Sequence, residues 1–128
     1  MGSAYDSLAR GGFIGSLKRD VLLEASRDIE YLGTIQAAFL KAGNEAREDA
    51  VDCTVKLVQD LMGLGLCFVA TWSATEPGSH EELKVDASEI ARLVALSNGK
   101  DVFTYFVVAT KAGEEWVARY HALVNDLA

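Results

Sequence analysis

Proline is almost missing from this chain, with one residue in 128, and cysteine appears only twice. One proline is few for a loop-rich fold, and two cysteines exclude a scaffold built on disulfides. Cys53 and Cys67 read as buried, apolar-like thiols, because free cysteine is among the most buried residue types. Neither stands at ligand spacing from His80 or His121, so no metal site is expected. Long hydrophobic runs are missing too. The longest, Leu61 to Trp72, is too short and too glycine-broken to span a bilayer, and no basic-then-apolar leader precedes the domain, so a soluble cytoplasmic protein is expected. Excess positive charge is absent from both halves. Residues 1–72 carry seven Lys and Arg against ten Asp and Glu, residues 73–128 five against nine, and the net charge is −7. Binding to polyphosphate draws on cations that displace condensed counterions, so this balance works against nucleic acid and anionic lipid and favours basic proteins or small molecules.

Catalytic constellations are equally scarce. The stretch "SHEEL" (Ser79 to Leu83) gathers a serine, a histidine and two glutamates, but neighbours in sequence do not make a relay, and it reads as a solvated loop. It lacks the second histidine of a zinc-protease helix, and "RGGFIGSLK" lacks the Gly-Lys-Ser/Thr ending of a phosphate loop. No enzyme activity and no cofactor are expected.

Half the residues are apolar and 24% are charged, an ordinary globular balance, and the length suits one domain. Residues 1–15 are small and polar and read as a flexible or loosely docked arm before a single domain over 16–128. Ser16 can cap a first helix to about Ser26, and "DIEYLG" reads as a short extended piece. Thr34 caps a second helix closed by a left-handed Gly43, and Asn44 caps a third running to about Met62. Leu66 to Trp72 reads as a strand, followed by the polar loop "SATEPGSHEE". Asp86 and Glu89 have capping-box spacing ahead of a fourth helix. Asp101 to Thr110 reads as the strongest strand, and Thr110 caps a terminal helix to about Leu127. Trp72, Phe103, Tyr105, Phe106 and Trp116 read mainly as core between sheet and helices. Residues 102–109 are apolar on both alternating faces, which implies that the inserted helix, the terminal helix or a second subunit covers the face a simple hairpin leaves wet.

This order, with "YLGTIQAAFLKAG", "DLMGLGLC" and "ATKAGEEW" at its junctions, resembles the winged helix, a helix-turn-helix unit followed by a β-hairpin. The resemblance covers residues 16–128. It implies an α+β fold of about five helices with a small antiparallel sheet, here with a helix inserted between the two wing strands. It also implies that the third helix is the groove-reading one, and this can be tested for charge. Its outer face carries Glu45, Glu48, Asp49, Asp52 and Asp60 against Lys56, which repels phosphate. Carboxylates in a first turn also favour the helix dipole, by about 0.3 to 1 kcal/mol each, but Asp52 and Asp60 lie beyond its reach. These five acidic residues are either a merely solvated face or the candidate partner-binding set, for a basic protein partner. A small immunity- or antitoxin-like protein neutralising a basic toxin fits the charge and size, and a homodimer through the terminal helix is compatible with them. The alternative is a winged-helix DNA-binding transcription regulator whose Lys18, Arg19, Arg27 and Lys41 gather on folding.

Overall fold

In the computed structural model, residues 13–43, 47–97 and 102–127 are described, with side chains over 15–42, 49–97 and 102–120. Among the described residues, five helices and four strands follow in the order α1 (Phe13–Arg27), β1 (Glu30–Tyr31), α2 (Leu32–Gly43), α3 (Arg47–Gly63), β2 (Cys67–Trp72), β3 (His80–Glu82), α4 (Ala87–Leu96), β4 (Tyr105–Ala109) and α5 (Lys111–Leu127). The fold is α+β with one small antiparallel sheet, in the order β1-β4-β2-β3.

Local chemistry sets most boundaries. Asp86 accepts a hydrogen bond from the Glu89 amide at 2.9 Å and caps α4 as the spacing predicts. Thr110 caps α5 by accepting from the Gly113 amide at 3.1 Å, and its hydroxyl donates to the Gly65 carbonyl at 2.7 Å. One side chain thus ties the start of α5 to the α3–β2 turn. That turn needs Gly65 in a left-handed conformation, at φ 74°. Gly113 is required for a different reason: a Cβ there would collide with the Leu66 carbonyl, so α5 approaches the start of β2 as closely as backbone allows.

Several expectations are corrected. Helix α1 begins at Phe13 rather than Ser16, α2 begins at Leu32 rather than after Thr34, and Gly43 is still helical. The cap expected at Asn44 lies outside the described residues. The polar loop after β2 contains a strand, β3. Its turn is Glu76-Pro77-Gly78-Ser79, with Gly78 at φ 82° and the Ser79 amide donating to the Glu76 carbonyl at 3.1 Å, the proline-glycine order of a type II turn. Strand β4 is shorter than the expected 101–110, because residues 102–104 form a turn. There the side chains of β2 replace the ladder: Thr71 Oγ1 donates to the Thr104 carbonyl and Trp72 Nε1 to the Phe103 carbonyl, each at 2.9 Å.

The two sheet faces have different neighbours. Val69, Val107, Cys67 and Ala109 point into the main core, which takes Leu22 from α1, Ile35 from α2, Leu57 and Leu61 from α3, and Trp116 from α5. The inserted helix α4 contributes Ile90, Leu93 and Val94 to this same core and packs against α3. It therefore thickens the helical layer instead of covering the outer face.

Candidate interaction surface

On the outer face, register and the two-residue alternation place Tyr31 beside Phe106, Phe106 beside Ala70, Phe68 beside Val108, and Trp72 beside His80. Ala70, Phe106 and Val108 form a second buried cluster, packed against Ile29, Tyr31 and Phe68, with no helical residue among its described members. Aromatic rings run across all four strands. The Tyr31 ring meets Phe103 edge-on at 5.1 Å and Phe106 at 6.2 Å, Trp72 lies 4.8 Å from Phe106, and His80 meets Phe106 edge-on at 6.2 Å. Phe106 is fully buried beneath its neighbours, whereas Trp72 is 42% and Phe103 63% exposed.

Trp72 and Phe103 are therefore not core, contrary to expectation. Tyr105 is half-buried, and Phe106 and Trp116 are buried as expected. The indole of Trp72 is held by its bond to the Phe103 carbonyl, and the Phe103 ring rests edge-on against Tyr31. Large, rigid aromatic surfaces lose little side-chain entropy on contact, which makes such pairs effective anchors. The β2–β3 hairpin beside them carries Glu76, Glu81 and Glu82, all exposed, against Lys84, which pairs with Glu82 at 3.3 Å.

Glu45 and the side chain of Glu48 lie outside the described residues. Asp49 and Asp52 are exposed, with no ion pair among the described residues. Asp60 is pinned by Lys18 of α1 at 3.0 Å, with the lysine side chain only 13% exposed. So Asp60 helps to hold α1 onto α3, and Lys18 is largely withdrawn from solvent. Of the other cations proposed to gather, Arg19 lies over the Tyr120 ring at 5.7 Å, and Arg27 pairs with Glu24 at 3.7 Å.

The "SHEEL" residues form no relay: Ser79 Oγ donates to Glu76 at 3.3 Å, and His80 packs among aromatic rings. Among the described residues, no three His, Cys, Asp or Glu side chains gather as metal ligands, and no helix is long and apolar enough to cross a membrane. Recesses of about 240, 190 and 290 Å³ lie between α1 and α5, between α2 and α3, and under α4. Each lies at or below the lower end, ~300 Å³, of the range usual for ligand pockets. The sequence signal for the hairpin was the Pro77-Gly78 pair, whereas nothing in the alternation separated buried Phe106 from exposed Trp72. Comparison of the chain with protein-family models, with curated proteins and with solved structures finds no match in any of the three.

Proposed function

We propose that this chain is a non-enzymatic protein-binding domain that takes a basic protein partner, in the manner of a small immunity- or antitoxin-like protein. The observation that carries this reading is the exposure of Trp72 and Phe103, linked by the indole-to-carbonyl hydrogen bond and each packed on an aromatic ring of the outer sheet face, beside a carboxylate-bearing hairpin. Interfaces derive most of their affinity from a few buried aromatic or arginine anchors, while complementary charge speeds encounter and rejects wrong partners. The aromatic pair supplies the anchor. The net charge of −7, with Asp49 and Asp52 exposed on α3, supplies the attraction for a basic partner.

A second reading, a winged-helix DNA-binding transcription regulator, is favoured by the topology. Strands β2 and β4 pair antiparallel as two wing strands would, with β1 on the other side of β4. Against it stand the engagement of Lys18 with Asp60 and the carboxylates on the would-be reading helix. Calorimetric titration at low salt with an arginine-rich peptide and with random-sequence duplex separates the two. The protein-binding reading expects heat from the peptide alone, and a Trp72→Ala, Phe103→Ala variant that binds it about thirtyfold more weakly, the loss of a strong anchor. Salt-sensitive binding of the duplex with no response to the peptide would establish the regulator instead.

A further inference from the structure

We propose that the basic partner is taken as an extended strand, added to the open edge of β3 and reaching with arginine onto the aromatic face. The inference rests on the protein-binding reading above and specifies its geometry.

Among the described residues, strand β3 is the last in the sheet and pairs only with β2. The amide of Ser73 donates to the Ser79 carbonyl and that of Leu83 to the Val69 carbonyl, both at 2.8 Å. In an antiparallel ladder bonded and non-bonded pairs alternate, so Glu81 faces Thr71 as the bonded pair between them. The backbone N–H and C=O groups of His80 and Glu82 consequently point away from β2, toward the open edge. These four groups match the spacing of an incoming strand, which is how β-strand addition obtains affinity.

The side chains select what can be added. Alternation puts His80 and Glu82 on the aromatic face and Glu81 on the opposite one, so a carboxylate flanks the edge on each side. An added strand therefore gains from cationic residues at successive positions. Glu82 already pairs with Lys84, but that lysine side chain is 91% exposed, and such a pair is readily exchanged. A residue opposite His80 sits about 5 Å from it and roughly 10 Å from Trp72, two strand spacings away. Arginine is long enough to cross His80, and its planar guanidinium stacks on an indole face better than a lysine ammonium does. A second copy of this chain would bring its own Glu81 and Glu82 to the same edge, so the charges that favour a basic strand oppose self-pairing. Single-stranded nucleic acid could use the aromatic rings, but its phosphates would meet the same carboxylates.

The test uses a short synthetic peptide of alternating arginine and valine, the same peptide N-methylated at alternate backbone amides, and the whole chain. N-methylation removes hydrogen-bond donors and leaves charge and side chains intact. Binding of the unmodified peptide is expected to slow hydrogen exchange at the His80 and Glu82 amides, and N-methylation to weaken it by about tenfold or more. Glu82→Pro removes an N–H that points outward, which an edge strand tolerates, and is expected to abolish the protection of the His80 amide while the melting temperature stays close to the native value. Glu82→Gln removes the charge without the N–H and is expected to keep the protection with weaker affinity. Equal binding of the methylated peptide, or binding unaffected by Glu82→Pro, overturns strand addition while leaving a basic partner standing. Failure of every basic probe to bind overturns both. Protection of His80 and Glu82 that grows with protein concentration alone assigns the edge to a second copy, and tighter binding of a single-stranded oligonucleotide assigns the face to nucleic acid; either result overturns the proposal.

Discussion

Glu30 sits half-buried in β1, and its carboxyl is pushed up to about 7 by burial first and by the nearby Glu24 charge next. In the unfolded chain the same group ionises near 4.5, so folding takes up a proton between about pH 4.5 and 7. Stability contributed by the neutral carboxyl is fully present below that window and is lost as pH rises through it. Glu30→Gln should therefore be more stable than the native chain at pH 8 and no more stable at pH 4, as read by denaturant unfolding at both. The thiols also differ: burial pushes Cys67 up to about 12, whereas Cys53 is half-buried beside a recess between α2 and α3. A disulfide reagent at pH 8 should label Cys53 in the folded chain and reach Cys67 only on unfolding, as read by mass spectrometry of the labelled peptides. Burial of Cys67 was legible in its apolar strand. The state of Glu30 was not, because it depends first on burial in the folded chain and then on α1 carboxylates that folding brings beside β1.

Among the elements, the junction of β4, α5 and the α3–β2 turn concentrates the most constraint in the fewest residues. Thr110→Val keeps the shape of the side chain but removes both the cap of α5 and the bond to the Gly65 carbonyl, at an expected cost of about 1 to 2 kcal/mol. Gly113→Ala forces a methyl group against the Leu66 carbonyl, which costs about 1 to 3 kcal/mol in comparable overpacked sites. Both are measured by equilibrium unfolding. The helices were legible from 3.6-residue periodicity, with capping residues marking the starts at Asp86 and Thr110, whereas Ser16 and Thr34 lie inside α1 and α2. Strand β3 was less so: His80, Glu81 and Glu82 carry no strand propensity, and they are held extended by pairing with β2 and by the Pro77-Gly78 turn. Residues 102–104 read as strand by composition yet turn away, because Thr71 and Trp72 side chains bind their carbonyls.

Across the whole molecule, the chain's apolar surplus is divided between two layers. Among the described residues, the helices, including the inserted α4, bury one face of the sheet, and the other face is left with its own aromatic cluster and two exposed rings. Alternation along β4 foretold two apolar faces, but only the three-dimensional placement of α4 decides which of them is covered. The acidic set foreseen on α3 divides in the same way, with Asp49 and Asp52 exposed and Asp60 tied to Lys18. Attraction of a basic partner by a net charge of −7 should fall with salt, while anchoring by Trp72 and Phe103 should not. Association rates for an arginine-rich peptide are therefore expected to drop steeply between low and physiological salt, with dissociation rates nearly unchanged, in stopped-flow measurements. The most direct test of the central claim is an amide and indole chemical-shift map of the isotopically labelled chain titrated with that peptide. The largest shifts are expected at the Trp72 indole N–H, at Phe103 and along β3; shifts confined to Asp49, Asp52 and their neighbours on α3, with the aromatic sheet face unmoved, would place the partner elsewhere and overturn the aromatic anchor.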